Sequence, residues 1–206
     1  MIYKLTIFTC SYNQPKLLVR AMDSVPRHSN IEYIVIDDGS TDETPDVVMK
    51  YMDTHPELNM VFVRNRKNYG LGHGKNIAYS LAQGEYVYQL DHDDYILPEP
   101  FVEVMQELDG TDMVYVNLRT NDGRILLTPD TCDLYVAGHT HFIRRALIGN
   151  IRTREDVWNE DKYFDMDLKA LCPTMKFTEK TVYYYNFPRQ DSMFQRATSG
   201  KSWKGY

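Results

Sequence analysis

The chain has 206 residues, 43% of them hydrophobic and 25% charged, with a net charge of −6. That composition supports one large domain, or one domain with a small appendage. It disfavours a broad grip on nucleic-acid backbone, and apolar runs such as Tyr33-Ile34-Val35-Ile36 fall far below the ~20 residues of a membrane span.

The first residues, Met1-Ile2-Tyr3-Lys4, lack the layout of a signal peptide and lead directly into a strand at residues 5–9. Ser11-Tyr12-Asn13-Gln14-Pro15 is loop chemistry, and Pro15 suits the first turn of a helix whose apolar face carries Leu17, Leu18, Ala21, Met22 and Val25. A second buried strand at 31–36 stops at Asp37-Asp38-Gly39-Ser40. Thr44-Pro45 reads as an N-cap followed by proline at the first helical position. Residues 60–63 form a third strand, and the glycine-rich loop 68–74 feeds a helix through Ile77, Ala78 and Leu81 that Gly84 is expected to end. A strand at 86–90, a helix at about 98–108 and a strand at 113–117 follow. Strands alternating with helices at these lengths predict βαβ units and a mostly parallel sheet, with ligands beyond the carboxyl ends of its strands.

The later part changes character. Thr120-Asn121-Asp122-Gly123 is a hairpin signal, residues 142–144 offer another strand, a helix opens at Asn159-Glu160-Asp161 and runs toward Pro173, and a last strand is expected at 181–185. The expected division is 1–118 as a nucleotide-binding half, 119–188 as an acceptor-side half of the same domain, and 189–206 as a polar tail or lid. Cys10, Cys132 and Cys172 are few, odd in number and far apart, which suits a reducing compartment and gives cytoplasm as the expectation.

The stretch richest in chemistry is Gln89-Leu90-Asp91-His92-Asp93-Asp94, where a run of strand formers empties into three carboxylates. Acids so placed repel one another and add nothing to a strand. A hard divalent cation, Mn²⁺ or Mg²⁺, held by one or two carboxylates and by substrate phosphates, would resolve the conflict. Asp37/Asp38 and Asp91/Asp93 both end predicted strands, so the two acidic clusters are expected to converge on one crevice. Read as local structure alone, Asp37 and Asp38 are turn and cap residues.

Taken in order, these landmarks resemble family 2 glycosyltransferases of the GT-A fold, over most of the chain. They are Thr9-Cys10-Ser11-Tyr12-Asn13, Ile34-Val35-Ile36-Asp37-Asp38-Gly39-Ser40-Thr41-Asp42, Asn68-x-Gly70 with Lys75-Asn76 and Gly84-Glu85-Tyr86, Leu90-Asp91-His92-Asp93-Asp94, and Asn159-Glu160-Asp161. The resemblance implies an α/β fold: a mostly parallel, Rossmann-like sheet flanked by helices, with a small antiparallel acceptor-side extension. It implies transfer of one sugar, with inversion, from a nucleoside-diphosphate sugar, a UDP-sugar foremost, to an acceptor hydroxyl that the sequence does not name. It further implies a nucleotide pocket built on Asp37, Asp38 and Asp91 with Thr9 and Tyr12 as lining, and a metal held by Asp93 and Asp91. Asp94 would support the site or cap a helix. Asp161 would be the base and Glu160 its orienting partner, with Asp156 of Glu155-Asp156 a second candidate base. Lys75 would contact a phosphate or a sugar hydroxyl, or stand solvated.

His139 and His141 alternate at strand spacing, so both can face one way; one is expected to contact donor or acceptor, and spacing supplies no further ligands for zinc. Arg64, Arg66 and Lys67 read as solvated surface. Gln190, Ser192, Arg196, Lys201 and Trp203 give the tail the makings of a lid. The QxxRW signature of processive members is absent, since Ser202 precedes Trp203, and single-sugar transfer is expected. Three alternatives remain at this level. A nucleotidyltransferase making a nucleotide sugar would want glycines and an arginine after the first strand, where this chain has none. A non-catalytic nucleotide or sugar binder would have no use for the carboxylates. A viral enzyme decorating modified DNA bases is disfavoured by the −6 charge.

Overall fold

A computed structural model describes residues 3–127 and 138–187. In chain order the elements are β1 (Tyr3–Ser11), α1 (Pro15–Ser24), β2 (Ile31–Asp37), α2 (Thr44–Thr54), β3 (Asn59–Arg64), α3 (Leu71–Leu81), β4 (Gly84–Gln89), β5 (Tyr95–Ile96) and α4 (Pro98–Gln106). After these come β6 (Met113–Thr120), β7 (Ile125–Leu126), a 3₁₀ turn (Gly138–Thr140), β8 (His141–Arg144), α5 (Arg145–Ile148), α6 (Glu160–Lys169) and β9 (Met175–Tyr185).

The strands form a single sheet in the order β3-β2-β1-β4-β8-β6-β9-β5, with β7 on β6. β3, β2, β1 and β4 run parallel to one another, β8 runs antiparallel to both β4 and β6, and β6 pairs β9 in parallel. The sequence of β2, IEYIVID, is buried at every position, as expected of a strand covered on both faces. Alternate residues of β1 and β2 feed two cores. Leu5, Ile7, Tyr33 and Val35 pack with Leu18 and Met22 of α1, Val48 of α2 and Phe101 of α4. Phe8, Cys10, Ile34 and Ile36 pack with Ala78 and Tyr79 of α3 and with Phe164 and Leu168 of α6. The parallel sheet, its helical layers and the antiparallel β7 and β8 match the α/β architecture expected from the sequence. No helix among the described residues is long and apolar enough to cross a membrane.

Local details depart from expectation. α2 begins at Thr44 itself, with Glu43 at the N-cap position and no side-chain cap bond, and Asp42 Oδ1 accepts the Thr44 N–H at 3.0 Å. Gly84 opens β4 and does not end α3, which stops at Leu81. β9 starts at Met175, well before the expected 181, and β5 is a short strand held by Tyr95 and Ile96 opposite Tyr184 and Tyr183. The tail 189–206, including the proposed lid residues, lies outside the described residues.

Candidate active site

From β1 the chain moves outward to β2 and β3, then returns to place β4 on the other side of β1. Such a reversal opens a crevice at the carboxyl ends of the two central strands. Three buried polar atoms lie there with no hydrogen-bond partner among the described residues: Ser11 Oγ at the end of β1, Gln89 Oε1 at the end of β4, and His92 Nε2. Buried polar atoms are nearly always paired, so such a group at one place marks a site for a polar ligand or water.

The loop after β2 is locked by its acids. Asp38 accepts the Asn65 side-chain amide at 2.7 Å and the backbone N–H groups of Tyr69 and Gly70 at 3.0 and 2.7 Å. Gly39 has φ +77°, and a Cβ there would sit 2.4 Å from the Lys67 backbone, so the loop tolerates only glycine. Asp37, expected in the nucleotide pocket, is fully buried; its Oδ1 accepts the Ser40 N–H at 3.1 Å, and Arg64 lies 3.3 Å from Oδ2. Arg64 is therefore engaged and not merely solvated. Thr9, expected as pocket lining, stands inside the sheet with no exposure and accepts the Tyr33 hydroxyl at 3.0 Å. Tyr12 is half-buried on the loop after β1.

The acidic turn after β4 is built from several elements. Asp91 Oδ2 lies 3.0 Å from His139 Nδ1, and Asp91 Oδ1 accepts Gln89 Nε2 at 2.6 Å. Burial pushes the Asp91 carboxyl up, but the bond to His139, its charge and that of Lys75 carry it below the ordinary range. For His139 the same pair works the other way: burial pushes it down, and Asp91 raises it above its usual value. Asp94 is fully buried and caps no helix; it accepts the Tyr183 hydroxyl at 2.8 Å and the Asn186 N–H at 2.8 Å. Burial, then the charges of Asp93 and Asp91, push Asp94 well up. Asp91, Asp94 and His139 offer ligand atoms within 4.8 Å of one another, a grouping that omits Asp93. Arg20 of α1 donates to the Asp93 carbonyl.

Opposite this turn stand the acids that open α6. Lys75 of α3 is completely buried, with Nζ 2.9 Å from Glu160 Oε1 and a second contact to Asp161 Oδ1. The solvated reading of Lys75 therefore fails. Burial lowers its pKa, but Asp161 and Glu160 together hold it well above the ordinary lysine range. Asp161 is raised by burial, with Lys75 opposing and Glu160 adding to the rise. Glu155, beside the second base candidate, accepts Asn76 Nδ2 at 2.9 Å and faces His73 at 3.1 Å, while Asp156 is exposed. Between the two acidic groups lies Gly138: a Cβ there would be 2.5 Å from Gln89 Oε1 and 3.3 Å from Asp161 Oδ1. The missing side chain thus lets the base candidate and the Asp91 neighbourhood approach one backbone position.

The family description "Glycosyl transferase family 2" matches residues 6–145, about two thirds of the chain. The chain belongs to glycosyl transferase family 2. It is 27% identical over 210 residues to the poly(ribitol-phosphate) beta-N-acetylglucosaminyltransferase TarS of Staphylococcus aureus, covering 91% of this chain and 36% of TarS. A Nostoc glycosyltransferase, alr2836, is 33% identical over 116 residues, 55% of this chain and 35% of that protein. The chain thus spans about a third of the length of these two relatives. Its structure superposes on TarS 1–349 in complex with UDP-GlcNAc with a TM-score of 0.77, at 24% identity over 91% of this chain and 60% of that one. A Pyrobaculum calidifontis mannosyltransferase, solved with GDP-Man and Mn²⁺, gives 0.74 at 20% identity, over 94% and 59%. The fold is GT-A.

Within this family 2 framework, sequence reasoning missed Gln89, Tyr183 and the specific part of His139. The HxH spacing misled, because Gly138–Thr140 is a 3₁₀ turn and not strand. His139 turns to Asp91 and stacks on Tyr183 at 4.8 Å, whereas His141 packs against Tyr115. Gln89 carried the available signal: a polar residue closing the apolar and aromatic run Tyr86-Val87-Tyr88.

Proposed function

We propose that the chain transfers a single sugar, with inversion, from a nucleoside-diphosphate sugar, a UDP-sugar foremost, to an acceptor hydroxyl, with Asp161 as general base. What supports this is the convergence at Gly138, where a Cβ would meet both Asp161 Oδ1 and the Gln89 side chain that bonds Asp91. An inverting displacement needs a base on the face of the sugar away from the departing diphosphate. Binding of UDP-GlcNAc by the TarS neighbour supports the donor class.

The acidic turn fits a divalent ion: the charges of Asp93 and Asp91 raise the buried Asp94, and a cation would relieve that repulsion. Asp94 is fully buried with one oxygen engaged by Tyr183 of β9 and the other by the Asn186 N–H just after it, and the His139 side chain is only 3% exposed, while the Asp91 side chain is 28% exposed. Asp91 and the adjacent Asp93 are therefore the residues that would hold Mn²⁺ or Mg²⁺. The ion would act as a Lewis acid on the leaving diphosphate. Asp91 is kept ionised by His139, and Asp38 fixes the glycine-rich loop on the nucleotide side. Glu160 steadies the first turn of α6, and Asp161 takes the acceptor proton. The free thiols of Cys10 and Cys172 suit the cytoplasm, where nucleotide sugars are made. On this reading residues 1–118 bind the donor and residues 119–188 face the acceptor.

Calorimetric titration with UDP, with Mn²⁺ and then with chelator, tests the proposal together with assays of UDP release from UDP-sugars. Binding that needs the ion, and an inverted product, are expected. Equal UDP affinity under both conditions would overturn the metal-assisted reading.

A further inference from the structure

We infer that Lys75 is a positioning residue for the proposed base, a buried cation that fixes Glu160 and Asp161 side by side and sets its charge against the Asp161 carboxylate. The inference rests on the reading of Asp161 as the base. It departs from the role that the family resemblance implies for this lysine, which is contact with the donor.

The geometry is specific. Lys75 has no exposure, and its ammonium is given to the two carboxylates of one helical turn. A buried ammonium without partners sheds its proton; this one is held charged by two acids that in turn need it. Two adjacent enclosed carboxylates resist joint ionisation, and one of them ordinarily takes up a proton. A general base that is protonated at working pH does nothing. The start of α6 supplies some favourable field for both acids, but a full charge in contact, away from solvent ions, acts far more strongly.

The other titratable groups that reach Asp161 do not substitute for Lys75. Tyr79 on α3 and Tyr185 on β9 are both held in the protonated form by burial. Asp91 beyond β4 adds negative charge. His139 in the 3₁₀ turn is a second cation, but its hydrogen bond goes to Asp91. Lys75 is thus the cation in contact with Asp161. Burial and Glu160 drive the Asp161 carboxyl up while Lys75 draws it down, so losing Lys75 leaves the upward pressures unopposed.

The test follows the side-chain carboxyl carbons of ¹³C-labelled aspartate by NMR across pH, with Mg²⁺ present. Comparing wild type with D161N assigns the Asp161 signal. In K75M the Asp161 inflection is expected to rise by about one unit or more, and in E160Q it is expected to fall. K75R, which keeps the charge, is expected to stay close to wild type. A K75M inflection that stays put or falls overturns the inference. Should K75M fail to fold, E160Q decides alone: an Asp161 inflection that does not fall overturns the idea of a mutually opposed pair. A parallel titration with UDP and Mg²⁺ separates this role from donor contact. K75M is expected to bind UDP within about threefold of wild type, and a much larger loss would make Lys75 a diphosphate ligand and overturn the inference. Failure of the underlying reading looks different: D161N would then retain sugar transfer, whatever the carboxylates do on titration.

Discussion

Tyr183 donates its hydroxyl to Asp94 Oδ2 at 2.8 Å and with the same oxygen accepts the backbone N–H of Asp91 at 3.0 Å. One side chain of β9 therefore clamps both ends of the acidic turn. Tyr183→Phe keeps the ring stacked on His139 but leaves a buried carboxylate oxygen and a backbone N–H short of a partner. We expect a stability loss of about 1–3 kcal/mol in urea unfolding, and weaker Mn²⁺-dependent UDP binding by calorimetry. Unchanged values in both measurements would show that the clamp is idle.

Asp93 and Asp94 separate by function. Asp93→Asn is expected to lower metal-dependent UDP affinity by tenfold or more, about 1.4 kcal/mol, with little change in unfolding. Asp94→Asn is expected to show itself first in stability, because Asp94 is fully buried against β9. If Asp94→Asn removes ion-dependent binding while Asp93→Asn leaves it intact, the ion belongs with Asp91, Asp94 and His139 instead.

Asp161→Asn is close to isosteric and keeps a polar group near Lys75, but it can take no proton. Sugar transfer is expected to fall by about 10²–10⁴-fold, with UDP affinity near the wild-type value. Asp156→Asn, at an exposed position, is expected to leave both unchanged. The reverse pattern in a UDP-release assay would move the base to Asp156.

How far the sequence reveals this site depends on the kind of interaction. Strand periodicity and turn chemistry showed the parallel sheet and the ends of β2 and β4, because burial and backbone preference are local. The Asp38 and Asp91 loops were legible for the same reason. Thr9 is a buried hydroxyl that Tyr33, from the neighbouring strand, satisfies, a pairing that residue polarity alone does not show. Lys75 was open between phosphate and solvent because its partners lie 85 and 86 residues away. The Asp91–His139 pair spans 48 residues and the Tyr183–Asp94 pair 89, separations that no spacing rule reads.

His141 gives a pH signature of its own. It is fully enclosed, and burial, with Lys169 and His139 adding to it, lowers its pKa from the ordinary 6.5 to about 3. Its neutral ring is stable above 6.5, and between 6.5 and 3 the unfolded chain binds the extra proton. Stability from this residue is therefore lost as pH falls through that window. His141→Phe keeps an aromatic ring against Tyr115 and removes the titrating group. The variant is expected to lose about 2 kcal/mol less than wild type between pH 6 and pH 4 in urea unfolding. Parallel pH dependence of the two proteins would show that His141 is charged or exposed in the fold.

Gly138 is the position where the approach of Gln89 and Asp161 can be probed with the smallest change. A methyl group there would meet Gln89 Oε1 at 2.5 Å and Asp161 Oδ1 at 3.3 Å. The backbone of Gly138 is in a 3₁₀ turn that alanine can adopt. Gln89 is the end of a flexible side chain and can give way, so Gly138→Ala should change stability by no more than about 1 kcal/mol. In giving way, however, Gln89 loses its 2.6 Å bond to Asp91, and the space between Asp91 and Asp161 is partly filled. If the reacting groups meet in that space, transfer should fall by about 10²-fold, the scale of an ångström-level displacement. UDP binding, which rests on the ion that Asp91 and Asp93 would hold and loses only the Gln89 support of Asp91, should change less. Gly138→Ala combined with Gln89→Ala restores room and should recover part of the loss, whereas Gln89→Ala alone removes only the Asp91 contact. A Gly138→Ala variant with full transfer activity would mean that sugar and acceptor meet away from Gly138, and Asp161 would lose its claim to the acceptor proton.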